Sequence, residues 1–298
     1  MNNSGYLVNT KHNKSRKIKE NRTFNTINAI LLIIFALICI IPFLNVIAKS
    51  FSSAGFTISL LPKGLTLYSY KTVLTEIAFY RAYAVSIGVT VLGTLLSVAV
   101  MFAAAYPLSK PDFPCRRGIM IFFIIVMLFS GGIVPNYLLV KTIGILDTPF
   151  ALVLPSVVQV YHMILIKSYL ESLPRELEES AKIDGATSLT ILIKIILPLS
   201  GSMVATVCLF TGVVYWNNYF SALLYLPNNH TWYPLPMYIL NLINSSGMND
   251  ILGDTKKVLH KENIQCATIL LSLIPIILCY PMLLKHFTKG IMLGAVKG

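Results

Sequence analysis

An acidic cluster in the second half of this 298-residue sequence holds the side chains best suited to chemistry. Five of the twelve Asp and Glu residues lie between Glu171 and Asp184, interleaved with Arg175 and Lys182. Grouped carboxylates of this kind could serve a membrane enzyme. Apolar side chains recur every four positions in the same segment: Leu173, Leu177 and Ala181. This spacing instead predicts a short helix with an apolar stripe, which either docks onto another protein or lies on the lipid surface.

The rest of the sequence must place this segment beside a membrane. Hydrophobic residues make up 55% of the chain and charged residues only 12%, about half the charged share of a soluble globular protein. So few charges cannot cover a water-facing surface, and the apolar excess must face lipid. A transmembrane helix needs about 20 apolar residues. Six windows contain no Asp, Glu, Lys or Arg: residues 23–48, 82–109, 118–140, 148–166, 195–249 and 263–284.

These windows predict an all-α integral membrane protein with six transmembrane helices and a cytoplasmic docking helix between spans four and five. The fifth window turns polar after Tyr225, so we assign one span to residues 202–226. With the N-terminal tail in the cytoplasm, sixteen of the 24 Lys and Arg residues lie inside, which places both termini there. The predicted segments are a basic tail (1–25), a first span (26–48), an extracytoplasmic loop (49–81), a core of five spans (82–287) with a second extracytoplasmic loop (227–262), and a C-terminal tail (288–298).

The docking segment contains a spacing that resembles a known signature. Glu179-Ser180-Ala181 is followed by three residues, Gly185, nine residues and then Ile195-Ile196-Leu197-Pro198. This is similar to the EAA signature of bacterial ABC import permeases. The run 173–186 and the segments 280–281 and 289–298 resemble the carbohydrate branch of that family, which imports oligosaccharides. The resemblance extends from about residue 82 to the C-terminus, and Ser180 stands where the family usually has Ala.

The resemblance implies a permease that pairs with a second, related permease and with an extracytoplasmic sugar-binding protein. A cytoplasmic ATPase, not this chain, would bind ATP and Mg²⁺, and no cofactor or metal is expected here. Gly185 would break the docking helix, and Pro198 would end it at the start of span five. The residues expected to couple the chain to the ATPase are those of the loop 171–198 that match the signature: Glu179, Ser180, Ala181, Asp184, Gly185, Ile195, Leu197 and Pro198.

A polar and aromatic cluster interrupts the otherwise apolar fifth span. Its members are Tyr215, Trp216, Asn217, Asn218 and Tyr219. Aromatic faces stack on sugar rings and amides bond hydroxyls, so these residues could line a sugar path. Alternatively, the Asn side chains join helices and the rings lie in the membrane interface. Residues 232–236 of the second external loop could likewise contact the binding protein or anchor the loop at the interface.

Other functions are less compatible with the sequence. An ion-coupled secondary carrier usually needs ionisable groups within the membrane, yet the predicted spans contain no Asp or Glu. His162 in span four is more typical of a hydrogen-bonded packing residue. The net charge of +12 is explained by orientation signals and lipid contact rather than by nucleic acid. The sequence therefore predicts a multi-pass protein of the bacterial cytoplasmic membrane, with an ion-coupled carrier or a permease for a non-sugar solute as alternatives.

Overall fold

A computed structural model of the chain describes residues 22–53, 61–62, 64–129, 131–249, 261–278 and 281. The regular elements in these ranges are helices, which in chain order are α1 (Arg22–Ser50), α2 (Tyr68–Thr75), α3 (Ile77–Leu108), α4 (Arg116–Leu128), α5 (Ile133–Ile143), α6 (Phe150–Val153), α7 (Val160–Glu171), α8 (Glu176–Ile183), α9 (Ser188–Ile191), α10 (Leu197–Leu199), α11 (Gly201–Trp216), α12 (Phe220–Tyr225), α13 (Leu235–Asn249) and α14 (Lys261–Leu278). A 3₁₀ turn, Leu154–Ser156, follows α6, a second, His230–Trp232, precedes α13, and a π-helical turn, Leu192–Ile196, joins α9 to α10. Most of the predicted N-terminal tail, all of the predicted C-terminal tail and parts of both predicted external loops lie outside the described residues.

Three of these helices, α1, α3 and α14, are continuous, apolar and long enough to cross a bilayer. Three further spans are possible if bent pairs count as one span each. These pairs are α4 with α5, α6 with α7, and α9–α10 with α11; the second is bent by 50° and the third by 81°. The part of the chain that the structure describes therefore contains between three and six membrane spans.

The longest helix, α3, is the centre of the packed structure. It lies against α7 and α11, and its residues Met101 and Ala105 are fully buried. Met163 of α7 and Val207 of α11 are fully buried in the same cluster. Helix α1, in contrast, exposes large apolar side chains along its length, from Phe24 (67% exposed) to Leu44 (42%). An apolar surface of this extent requires lipid or protein around it.

A close crossing of α3 and α11 places Gly93 directly under the ring of Tyr215. A Cβ atom at Gly93 would lie 2.8 Å from Cζ of Tyr215, closer than carbon atoms can pack. The Tyr215 hydroxyl lies 2.9 Å from Oγ of Ser97 and donates a hydrogen bond to the carbonyl oxygen of Val153, 3.1 Å away. The absence of a side chain at Gly93 therefore allows one tyrosine to join α3, α11 and α6.

The structure changes several boundaries that the sequence predicts. Helix α3 begins at Ile77, inside the predicted first external loop, and α2 occupies part of the same loop. The fifth span ends at Trp216 rather than at residue 226, because the chain turns at Asn217 before α12. Part of the second external segment is helical rather than a loop: α13 packs against α3, and its Leu235 is fully buried.

We predict that Gly93→Ala destabilises the protein, because the new methyl group overlaps the Tyr215 ring. Overpacking of a tight core typically costs about 1–3 kcal/mol. Gly88→Ala is the matched control, since it lies in the same helix and a Cβ atom there has no neighbour within 4 Å. Thermal unfolding in detergent should give a lower Tm for Gly93→Ala and an unchanged or higher Tm for Gly88→Ala. Equal melting temperatures for both variants would contradict the close crossing.

Candidate functional site

The acidic segment forms the helix α8 for reasons that are local. Glu176, Glu178 and Glu179 occupy its first turn and Lys182 its last. The acidic residues therefore lie at the N-terminal end and the lysine at the C-terminal end, where the helix dipole stabilises each charge. The predicted apolar stripe is corrected at Leu173, which precedes the helix; Leu177 lies on the helix and is 41% exposed, which is compatible with contact to a partner or to lipid. Periodicity of four could not locate the first residue of the helix.

Helix α8 ends in a Schellman motif centred on Gly185. The backbone N–H of Gly185 donates to the carbonyl of Lys182, and that of Ala186 to the carbonyl of Ala181, at 3.0 and 2.9 Å. Gly185 has a φ of +80°, a left-handed conformation that other residues adopt only with strain. The prediction that Gly185 breaks the docking helix is therefore confirmed. A Cβ atom there would have no neighbour within 4 Å, so the space beside it is open.

Two faces of α8 have different surroundings. Ala181 is 8% exposed and packs into the core cluster that includes Leu170 and Ile191. On the opposite side Ile183 is 86% exposed, whereas Leu177, one turn before Ala181 on the same side of the helix, is 41% exposed. The remaining polar residues expected to couple the chain to a partner are also exposed: Glu179, Ser180 and Asp184. One face of the helix is thus fixed to the protein and the other is free to contact another chain.

Ion pairs attach α8 and the end of α7 to the helix ends beside them. Lys110, just after α3, forms a salt bridge with Glu178 and lies over the ring of Tyr106, 4.5 Å from its centroid. Arg116, at the start of α4, forms a salt bridge with Glu171 and donates a hydrogen bond to the carbonyl of Leu108. The sequence gives no signal for these partners, which are up to 68 residues apart. They connect the docking segment directly to the end of α3.

The signature residues after Gly185 lie around a bend in the chain. The prediction that Pro198 ends the docking helix is wrong, because α8 ends at Ile183 and Pro198 lies in α10. The π-helical turn lies immediately before it and contains Ile195. In an α-helix the proline ring would clash with the carbonyl four residues earlier, and the wider turn relieves this clash. The chain then bends at Ser200, two residues after Pro198 and three after Leu197.

The cluster at the end of α11 does not converge on one cavity. Tyr215 and Trp216 are buried, and the Trp216 ring packs edge-on against Tyr83, 6.3 Å away. Asn218 bonds the backbone N–H and the hydroxyl of Ser221 and so caps the following helix. The exposed members are Asn217, whose amide donates to the carbonyl of Val213, and Tyr219. The two Asn side chains therefore bond locally and do not join helices.

His162 is a packing residue, as the sequence predicts. It is buried in α7, its Nδ1 lies 3.2 Å from the Thr211 hydroxyl, and its ring stacks on Phe210. These contacts explain why a lone histidine is kept in an apolar span.

A polar clasp at the opposite end of the molecule from α8 is absent from the sequence prediction. The Asp147 carboxylate accepts hydrogen bonds from the backbone N–H of Asn228 and Asn229 and from the Asn228 amide, at 3.0–3.2 Å. Its backbone N–H donates to Tyr225, and its carbonyl accepts from the Asn229 amide. The bonds from Asn228 and then from Asn229 hold the pKa of the Asp147 carboxyl below its usual value. They fix the turn His230–Trp232 to the loop before α6.

Comparison with known proteins gives consistent matches over nearly the whole chain. Residues 84–293 match the family described as binding-protein-dependent transport system inner membrane component. The chain is 39% identical over 286 residues to the polygalacturonan/rhamnogalacturonan transport system permease protein YtcP of Bacillus subtilis, covering 94% of this chain and all of that protein. It is 40% identical over 297 residues to the protein LplC of the same organism, covering 98% and 99% of the two chains. A chain from the crystal structure of a bacterial ABC transporter involved in the import of the acidic polysaccharide alginate is similar at a TM-score of 0.82, with 32% identity, covering 90% of this chain and 98% of that chain.

We predict that Asp147→Asn lowers the Tm at neutral pH. The amide nitrogen that replaces one carboxylate oxygen cannot accept the hydrogen bond from the Asn228 side chain. Asn tolerates the left-handed backbone that Asp147 adopts (φ +59°), so the variant tests the clasp rather than strain. The carboxylate stabilises the folded state above its ordinary pKa, about 4, and this contribution is lost as pH falls through the lowered value. The Tm difference from wild type should therefore shrink below about pH 4.

Asp112→Asn is the control for this measurement, since the Asp112 side chain forms no salt bridge with any residue that the structure describes. Its Tm should equal that of the wild type at neutral pH. A Tm difference for Asp147→Asn that persists unchanged at pH 3 would show that the ionised carboxylate does not hold the clasp.

Proposed function

Because the chain belongs to the family of binding-protein-dependent transport system inner membrane components, we propose that α8 is the element through which a separate ATPase drives transport. The chain is a permease subunit of the cytoplasmic membrane with several apolar helices, and it is a transport subunit rather than an enzyme. The observation that carries the proposal is the two-faced packing of α8, with Ala181 buried inward and Ile183 exposed outward.

The transported solute in this proposal is a sugar, most consistent with an oligosaccharide. The similar proteins carry names that refer to polygalacturonan and rhamnogalacturonan, to alginate, and, at 28% identity, to arabinooligosaccharides in Halalkalibacterium halodurans. All of these are carbohydrates, and two of the names refer to polymers of acidic sugars. A binding protein would deliver the sugar on the extracytoplasmic side, where residues 232–236 lie in the proposed orientation.

The assembly follows the same proposal. Six spans arise when each bent pair counts as one span, and an even number places both termini in the cytoplasm. The segments 1–25 and 288–298 are then cytoplasmic tails, and residues 49–81 and 227–262 are extracytoplasmic. A second, related permease completes the path, and the ATPase, which binds ATP and Mg²⁺, contacts α8 from the cytoplasm.

The coupling residues divide into two groups by position. Glu179, Ser180 and Asp184 are exposed and available to bond the ATPase. Gly185 leaves open space for close approach by the partner. The bend residues are Ile195, Leu197 and Pro198. We propose that they set the angle at which the docking segment meets α11, since bends between helices absorb movements of one element relative to another.

Movement of α8 would reach the membrane core through α3. Lys110 links α8 to the end of α3, a helix of 32 residues, or about 48 Å at 1.5 Å per residue. Because α7 and α11 pack along this helix, a tilt imposed at its cytoplasmic end moves the core of the subunit. This is the rigid-body rearrangement that alternating access needs.

We propose fewer sugar-contacting residues than the sequence suggests. Tyr215, Trp216 and Asn218 contact neighbouring helices, and we propose that they hold in place the helices that surround the sugar path. Asn217 and Tyr219 are exposed and can contact a sugar or the second permease. The amide and the ring offer the hydrogen bonds and flat face that sugars need.

We predict that Gly185→Val abolishes uptake while the protein still inserts in the membrane. A β-branched residue at φ +80° costs about 1–3 kcal/mol of strain and fills the open space beside the docking helix. Uptake of a labelled oligosaccharide should be measured in the complete importer, together with co-purification of the ATPase. Both should be lost.

Gly144→Val is a matched control for this strain. Gly144 ends α5 with a φ of +79°, the same two hydrogen bonds of the Schellman motif and the same open surroundings. This variant should retain the ATPase and most of the uptake. If Gly185→Val keeps the ATPase and transports normally, or if both variants fail alike, α8 is not the coupling element. Uptake driven by an ion gradient without an ATPase would favour a secondary carrier.

We predict that Lys110→Glu reduces uptake by weakening the connection of α8 to α3. The side chains of Lys110 and Glu178 are partly exposed (31% and 13%), so the effect on stability should be small, about 0–1 kcal/mol. The double variant Lys110→Glu with Glu178→Lys restores the ion pair and should recover part of the uptake at equal membrane levels. A double variant no better than either single variant would exclude this link.

A further inference from the structure

A cleft lies at the end of α3 that is remote from α8. It has a volume of about 300 Å³, at the lower limit of the range for small-molecule sites, roughly 300–1,000 Å³. The chemically active lining residues are Arg81, His230, Thr231, Tyr233, Tyr238 and Asn241, and we name this site the Arg81 cleft. Because α3 is about 48 Å long, the cleft faces the side of the membrane opposite the docking helix.

The cationic group of this cleft is the Arg81 guanidinium. Arg81 is exposed and forms no salt bridge with any residue in the part of the chain that the structure describes. Two carboxylates act electrostatically on lining residues of the cleft, Glu76 on Tyr238 and Asp147 on Tyr233, and neither forms a salt bridge with Arg81. A guanidinium presents a planar fork of donors that fits a carboxylate with two parallel bonds. The Arg81 guanidinium is therefore available to pair with an anion.

The other walls suit a sugar ring. Tyr233 and His230 contact each other edge to face at 4.7 Å, and Tyr238 lines the same space. Aromatic rings pack on the apolar face of a sugar, while the Asn241 amide and the Thr231 hydroxyl can bond its hydroxyl groups. Flat rings beside one cation and small polar groups match a single charged sugar unit better than the flexible side chain of a docked protein.

These walls are held in place before any ligand binds. The turn that carries His230 and Thr231 is fixed by the Asp147 clasp through Asn228 and Asn229. On the other side Leu235, two residues after Tyr233, donates its backbone N–H to the buried Ser86 hydroxyl of α3, 2.7 Å away. A site whose walls are already ordered loses less conformational entropy when a ligand binds.

We propose that the Arg81 cleft binds one uronate unit of an acidic oligosaccharide on the extracytoplasmic side, with the Arg81 guanidinium pairing the sugar carboxylate. This inference rests on the proposed sugar import and specifies the sugar as acidic. The cleft then receives the sugar near the point of delivery and holds it at the entrance of the path.

The test compares Arg81→Gln with the wild type in proteoliposomes that contain the complete importer with its binding protein. The two probes are trigalacturonate and its methyl ester, which has the same shape without the charges. Loss of a charge-assisted pair should raise the KM for trigalacturonate by about tenfold or more and leave the ester unchanged. Arg81→Lys, which keeps the charge but not the fork, should fall between them.

Lys71→Gln is the control, since Lys71 is a cation of the same end of the molecule on α2, outside the cleft. It should change neither KM. An equal rise in KM for the acid and the ester in Arg81→Gln would assign the cleft to docking of the binding protein. An unchanged KM for both probes would show that the cleft does not bind the sugar. Either result overturns the inference. A wild type that imports only neutral oligosaccharides overturns it while leaving sugar import intact. A wild type that imports neither overturns both proposals.

Discussion

The packing of α3 against α7 and α11 is the constraint on which the rest of the structure depends. Gly93 lets the Tyr215 ring lie against the backbone of α3, and the tyrosine hydroxyl bonds Ser97 and Val153. Without a hydrophobic driving force between helices in lipid, such close approach and internal hydrogen bonds supply the association. The helix that results is continuous from Ile77 to Leu108 and so connects the two ends of the subunit.

Charged and polar groups are concentrated at these two ends. At one end Lys110 and Arg116 hold α8 and the end of α7, and at the other the Asp147 clasp holds the turn before α13. Pairs at the membrane surface keep their charge partly in water, so they cost less than pairs inside hydrocarbon. They can therefore orient moving parts without strain on the apolar core, and the proposed coupling site and sugar cleft each adjoin one of them.

The bends between helices are the points at which the elements around α3 can change their angles. The chain turns by 81° between α10 and α11 and by 50° before α7. Pro198 and the π-helical turn before it weaken the regular hydrogen bonding where the docking segment meets the core. A straight helix flanked by bent ones is suited to movement of whole elements, because helices packed at native density slide or tilt and do not deform continuously.

The sequence by itself determined the class of protein, the apolar windows and the docking segment, because long charge-free runs and the spacing around Gly185 are local signals. The helix break at Gly185 needs only the conformational freedom of glycine, and it was predictable. Tertiary structure decided the rest. The attachment of α8 to the end of α3 depends on Lys110, 68 residues from Glu178, and the Asp147 clasp joins loops 81 residues apart. Such pairs form only when packing brings distant segments together, and no periodicity within one segment records them.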